Sequence, residues 1–295
     1  MYNIIGKRKI FFVLSAILVI GSIAGLSIFG FNLGIDFTGG SLLEVNMPSA
    51  PAAPDIESKI NDMDLGKPQV QPAGENNYLI RTKEFGNDVK NDLLGKLREN
   101  FGDVEEMKFD TVGPTIGKEL REKAVYAIVI ILIAIAFYIA YAFRKVSDPV
   151  ASWKFGVCAI IALVHDVIIT VGVFVFLGRF MGVEIDTLFV VALLTLLGYS
   201  VNDTIIVFDR VRDKLLKGDR DFERAANSGV NDTLVRSLNT SLTTLLAILA
   251  IFLFGGETIK YFILALIVGI SVGTYSSIFV ATAVLVEWQK AGRKR

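Results

Sequence analysis

Leu188-Phe-Val-Val-Ala-Leu-Leu-Thr-Leu-Leu-Gly-Tyr-Ser-Val-Asn-Asp203-Thr-Ile-Ile-Val-Phe208 is long and apolar enough to cross a bilayer, yet it carries a carboxylate. A charge in hydrocarbon costs roughly 3 kcal/mol on insertion scales, so Asp203 marks a functional site by default. The next apolar segment, Leu234-Val-Arg-Ser-Leu-Asn-Thr-Ser-Leu-Thr-Thr-Leu-Leu-Ala247, brings a counter-charge, Arg236.

Outward from this pair, the chain reads as a polytopic α-helical membrane protein. Its 295 residues are 53% hydrophobic with a mean hydropathy of +0.54, too apolar for an ordinary soluble protein. Six transmembrane helices are expected, at Ile10–Gly30, Ala124–Phe143, Trp153–Leu177, Thr187–Phe208, Leu234–Phe254 and Ile259–Val286. Basic residues gather at one set of span ends: Lys7, Arg8 and Lys9, then Arg144, Lys145 and Lys154, then six between Arg210 and Arg224, then Lys290, Arg293, Lys294 and Arg295. The opposite short loops hold only Arg179 and Lys260. The positive-inside rule therefore places both termini in the cytoplasm, as an even number of spans requires. The first span, too long for a cleaved signal core, is expected to remain as an anchor.

Three domains follow: residues 1–31 as the first helix, 32–122 as a periplasmic domain, and 123–295 as helices two to six with a cytoplasmic loop at 209–233. Residues 32–120 carry 9 basic against 16 acidic residues, net −7, which argues against a nucleic-acid surface. That region reads as strand Ser41–Asn46, helix Asp55–Leu65, strand Pro68–Gln71, strand Tyr78–Lys83, helix Asn87–Asn100 and strand Val104–Val112. The order β-α-β-β-α-β predicts one α+β, ferredoxin-like fold between helices one and two. Loop 209–233 mixes six basic with six acidic residues and is expected to hold a helix on the membrane surface. A solvated connector is the preferred reading there over a partner-binding one. Gly21-x-x-x-Gly25 and Gly269-x-x-x-Gly273 predict close helix packing.

Asp203 precedes Asp209 by six residues and Arg236 follows Asp232 by four, so both are expected roughly 6–9 Å inside the same end of antiparallel helices. Matched depth allows an ion pair. Asn239, Thr240 and Thr243 continue a polar face from Arg236, and Asn202 flanks Asp203. Burial raises a carboxylate's proton affinity and a nearby guanidinium lowers it, so relative movement of the two would load and unload a proton. The alternative is a static pair that fixes helix register. His165-Asp166 in the third span adds the single histidine. It reads as an interhelical hydrogen-bonding group slightly ahead of a proton relay.

No metal or cofactor is expected, since there is no His/Cys cluster, phosphate loop or dinucleotide fingerprint. An intramembrane aspartyl protease built on Asp166 and Asp203 lacks the Gly-x-Gly-Asp and Tyr-Asp elements. The chain is read as not an enzyme.

Four segments together carry a resemblance. They are Gly34-Ile-Asp-Phe-Thr-Gly-Gly40, Ala162-Leu-Val-His-Asp-Val167, Leu197-Gly-Tyr-Ser-Val-Asn-Asp-Thr-Ile-Ile-Val-Phe-Asp-Arg-Val-Arg-Asp213, and Arg236-Ser-Leu-Asn-Thr-Ser-Leu-Thr-Thr244. The chain resembles the SecF side of the SecD/SecF protein-export family, within the resistance-nodulation-division (RND) superfamily, over nearly its whole length. The resemblance implies a SecD partner in a heterodimer, work with the SecYEG translocon on preprotein substrates in membrane lipid, and use of a proton or sodium gradient in late translocation. It implies ion coupling at Asp203 and Arg236, and a hinge to the external domain at Gly34, Asp36, Gly39 and Gly40. Two further classes stay open: an RND-type exporter of small molecules or lipids, and a scaffold subunit without ion coupling.

Overall fold

The computed structural model describes residues 1–74, 76–143, 151–216 and 221–293. Contacts divide the chain into two units, one of Met1–Phe31, Tyr126–Val183 and Leu188–Arg295, the other of Asn32–Val125 and Glu184–Thr187.

The smaller unit begins with a single helical turn, α2 (Ile35–Thr38), leading into β1 (Gly40–Asn46). Gly39 and Gly40 make that junction at φ 75° and 130°; a Cβ on Gly39 would lie 2.7 Å from the Pro114 Cα, and one on Gly40 2.6 Å from the Thr82 carbonyl oxygen. Only glycine meets both demands. The chain continues through α3 (Ala53–Ile60), β2 (Gln69–Pro72), β3 (Asn77–Thr82), α4 (Asn87–Phe101) and β4 (Glu105–Val112). The four strands form one sheet in the order β2-β3-β1-β4 with every neighbouring pair antiparallel. That is the interleaved arrangement of two split βαβ units. Alternate β1 residues Leu43 and Val45 turn inward, and α3 and α4 cover them with Ile56, Ile60, Leu93 and Leu97, all fully buried. Each such side chain contributes about 1.5–3 kcal/mol by leaving water.

The larger unit is a helical bundle. Among the described residues six helices have the length and composition of membrane spans: Ile5–Phe29, Pro114–Ala142, Ser152–Met181, Thr187–Leu216, Phe222–Phe254 and Thr258–Ala291. The regular helices within them are α1 (Arg8–Phe29), α5 (Pro114–Ala142), α6 (Ser152–Met181), α7 (Thr187–Leu216), α8 (Phe222–Phe254), α9 (Glu257–Ser276) and α10 (Thr282–Arg293). A π turn, Ser277–Ala281, joins α9 to α10 as one span. α6 ends at Gly182, left-handed at φ 70°, whose N–H returns to the Gly178 carbonyl. α8 starts at Asp221, whose side chain accepts from the Glu223 and Arg224 N–H groups.

Phe143, Phe155 and Phe208 form an aromatic knot in the bundle core, with ring centroids 5.2–6.4 Å apart. α1 and α8 leave Ile10, Val13, Ile17, Leu242, Leu246 and Leu253 exposed, as a helix in a hydrocarbon solvent does. The glycine pairs divide. Cβ atoms on Gly25, Gly269 and Gly273 would press to within 3.0 Å of Phe176, Leu196 and Ser200, whereas Gly21 faces open space.

The expected surface helix within 209–233 is replaced by something simpler. α7 runs on to Leu216 and α8 begins at Phe222, so both spans continue past their apolar stretches; residues 217–220 lie outside the described residues. Charge falls on these ends without interrupting the helical backbone.

Candidate functional site

Three helices bring Asp203 its partners. It lies on α7 with 3% of its surface exposed, and Ser241 of α8 places its hydroxyl 3.5 Å from Oδ2. Thr274 of α9 in turn donates to the Ser241 Oγ at 2.7 Å. Ser237, one turn before Ser241, is buried and faces the same carboxylate. Tyr199 donates to Thr244 at 3.2 Å and ties α7 to α8 one turn away. The carboxylate therefore sits among hydroxyls, groups that can either donate or accept a hydrogen bond.

The expected ion pair is not formed. Arg236 acts on Asp203 through space only, with no ion-pair contact between the two among the described residues. Arg236 is exposed and lines a cleft of about 430 Å³ with Ile205, Asp209, Asp213, Asp232 and Thr233. Asn239, Thr240 and Thr243 lie on the exposed side of α8 with it, as does Asn202 on α7. Thr240 and Thr243 spend their hydroxyls on their own helix, donating to the Arg236 and Asn239 carbonyls at 2.9 and 3.0 Å. The face of α8 turned toward Asp203 is the next one round, Ser237 and Ser241. One helical position rotates a side chain by about 100°, and that separates the two faces.

A second carboxylate, Asp166, gathers a larger set of partners than its sequence neighbours suggest. Asp166 of α6 is fully buried; its Oδ2 accepts from Ser200 of α7 at 2.6 Å and from Ser276 of α9 at 2.8 Å, and its Oδ1 lies 3.0 Å from His165 Nδ1. Ser277 donates to the Ser200 carbonyl at 3.1 Å and meets Thr204 at 2.8 Å. The signal available was that Ser200 sits one turn before Asp203 and shares its face of α7.

In the other unit, Asp36 accepts from the Thr187 N–H at 2.9 Å and from the Thr187 hydroxyl. It thus caps the first turn of α7 from a distant part of the chain. The Gly34 N–H donates to the Ile185 carbonyl at 2.9 Å, and the Ile185 N–H to the Asn32 carbonyl at 2.8 Å. Gly34 has φ −71°, open to any residue, so the backbone demand for glycine falls on Gly39 and Gly40 alone. Arg81 of β3 forms an ion pair with Glu184. Burial pushes the Glu184 carboxyl above the usual carboxylate range, against the pull of Arg81.

Comparison with known proteins now bears on these residues. The family model "Protein export membrane protein SecD/SecF, C-terminal" matches residues 93–291, and the SecD/SecF GG motif matches residues 24–47. The chain belongs to the SecD/SecF family. A relative from Thermobaculum terrenum named Protein translocase subunit SecF is 42% identical, the match covering 98% of this chain and 94% of the relative. One from Anaerolinea thermophila with the same name is 42% identical, with 98% and 94% covered. The crystal structure of SecDF, a translocon-associated membrane protein from Thermus thermophilus, superposes with a TM-score of 0.87 at 32% identity. The match covers 98% of this chain and 39% of that one, so this chain spans about two-fifths of the SecDF structure. As a SecD/SecF family member with six spans, it is a multi-pass membrane protein of the Sec protein-translocation pathway. The GG motif takes in Gly34, Asp36, Gly39 and Gly40, and the C-terminal family region takes in Asp166, Asp203 and Arg236. Among the described residues no group of three or more metal-ligating side chains is found.

Proposed function

We propose that this chain is the SecF-type subunit of a SecD/SecF heterodimer that uses the proton gradient, or a sodium gradient, to assist late preprotein translocation through SecYEG. It works without enzymatic turnover and without a cofactor. Both termini are cytoplasmic. The 32–122 domain, ferredoxin-like in its strand order, stands on the periplasmic side where the emerging preprotein is handled.

The observation that carries this reading is Asp203, buried in a span among hydroxyls and not locked to a cation. A carboxylate clamped by a guanidinium holds its charge permanently. One that feels Arg236 only through space changes its proton occupancy when the helices shift. A charge crossing the whole membrane delivers about 2.3 kcal/mol per 100 mV, so a few per cycle suffice for a large conformational step. Arg236, Asn239, Thr240 and Thr243 offer an exposed polar face inside a span, which suits packing against the helices of SecD better than contact with lipid. The coupling set is completed there by the partner.

The test is gradient-dependent translocation in inverted vesicles carrying the complex, with Asp203→Asn and Arg236→Met. Both variants should lose the gradient-dependent part while keeping ATP-driven translocation. Wild-type behaviour in both would defeat the coupling role and favour a scaffold. Asp203→Glu separates protonation from geometry, since it keeps the acid and moves it by one methylene.

A further inference from the structure

We infer that His165 and Asp166 form a second proton-binding site in this chain, independent of Asp203, with a single proton as its ligand. The inference does not need the coupling role of Asp203.

The geometry is a buried acid-base couple with one vacancy. His165 and Asp166 both lie on α6 in the bundle interior, with 7% and 0% of their surfaces exposed. With His165 Nδ1 donating to Asp166 Oδ1 at 3.0 Å, the other ring nitrogen, Nε2, is left as a lone pair. That Nε2 is buried, and among the described residues it has no hydrogen-bond partner. A polar atom orphaned in this way is costly unless it has work to do.

The surrounding charges define the ligand. α7 presents Ser200 to the couple, α9 presents Ser276 and Tyr275, and α1 presents Ser15, which meets the Tyr275 hydroxyl at 3.1 Å. The Tyr275 ring stacks on His165 with centroids 6.2 Å apart, and its hydroxyl lies 2.8 Å from the Phe11 carbonyl oxygen. Tyr275 is the titratable side chain whose ring meets His165, and among the described residues no Lys or Arg acts on Asp166. With the ring neutral and the Asp166 carboxyl ionised, the couple carries one uncompensated negative charge in a low-dielectric interior, an expensive state. One proton taken from water at Nε2 forms an N–H bond there and makes the ring an imidazolium. Its positive charge then cancels the carboxylate across the existing Nδ1–H···Oδ1 contact. Release reverses the step and returns the proton to water.

The site also accommodates a shift of that proton onto Asp166. Ser276 Oγ lies 3.1 Å from the Gly273 carbonyl oxygen as well as 2.8 Å from Oδ2, so its hydroxyl has a second acceptor ready. The π turn begins at the next residue, Ser277, and such turns gather at functional sites. Among the described residues the Asp203 set, Ser241 with Thr274, shares no hydrogen bond with this one.

Because the chain holds a single histidine, the ring can be observed alone. The experiment is nitrogen-15 NMR of the full chain in lipid nanodiscs with imidazole-labelled histidine, titrated over the pH range in which the chain stays folded. We expect a ring protonated at Nδ1 in alkali that gains one proton at Nε2 as pH falls. Asp166→Asn should move the midpoint by about one pH unit or more, since it removes the charge that pairs with the imidazolium. Asp203→Asn should leave it in place. A ring that keeps one proton throughout, or a midpoint unmoved by Asp166→Asn, overturns the proposal. So does a ring signal that follows sodium at fixed pH, which would make the ligand a metal cation. If Asp166→Asn fails to fold, Ser200→Ala and Ser276→Ala each remove one donor to the carboxylate and must still displace the midpoint.

Discussion

Replacing Asp36 with alanine should loosen the start of α7, the helix that carries Asp203. The Asp36 carboxylate accepts the Thr187 N–H at 2.9 Å and the Thr187 hydroxyl, so it occupies the capping position although it lies 151 residues away in sequence. Losing a capping side chain costs about 0.5–2 kcal/mol. Losing a negative charge at a helix N-terminus costs about 0.3–1 kcal/mol more. A combined loss of about 1–3 kcal/mol multiplies the population of the opened first turn roughly 5–150-fold. Hydrogen exchange in nanodiscs, followed by mass spectrometry over peptides spanning 184–192, reads that factor directly. Asp36→Asn keeps an oxygen acceptor and loses only the charge, so its acceleration should be the smaller of the two. Wild-type exchange in Asp36→Ala would refute the argument, because it would mean that the cap bears no part of the helix's local stability.

Three further outcomes follow from the packing and from Glu184. Gly273→Val should destabilise the bundle by about 1–3 kcal/mol in thermal unfolding, because even its Cβ would stand 2.8 Å from that of Ser200; Gly21→Val, facing open space, should cost far less. Leu97→Ala removes a fully buried α4 side chain and should cost the α/β unit about 2–5 kcal/mol, seen as faster proteolysis between residues 32 and 112. Burial raises the Glu184 carboxyl above its unfolded value, so its contribution is full below that unfolded value and fades as pH rises through the folded one. The stability advantage of wild type over Glu184→Gln should therefore shrink from acid to neutral pH, and an advantage that grows instead contradicts the burial argument.

What could be read from the sequence depended on how far each signal reached along the chain. The β-α-β-β-α-β order was legible because β1, β3 and the helix α4 each carry their own periodicity, and apolar alternation such as Leu43 and Val45 needs no distant partner to be seen. Asp203 was legible for the same reason, as a charge against an apolar background. Its partners were not. Ser237 and Ser241 are small and common in spans, while Arg236, Asn239, Thr240 and Thr243 advertise polarity and drew the prediction onto a face one residue away. The Asp166 cluster is assembled from α6, α7 and α9, so no single segment announces it. The Thr187 cap depends on an aspartate 151 residues upstream, and local sequence holds no trace of that pairing.

The strip Glu184–Thr187 belongs to the α/β unit although it is made long after it. Strands β1 to β4 are complete by Val112, and about 70 further residues separate them from Glu184. At roughly 5–20 residues per second, the ribosome takes several seconds to deliver that strip. The α/β unit therefore has time to fold with Asn32, Leu33, Asp36 and Arg81 in place as a finished receptor. The turn between α6 and α7 then docks onto a surface already built, and the first turn of α7 is set by a template that predates it.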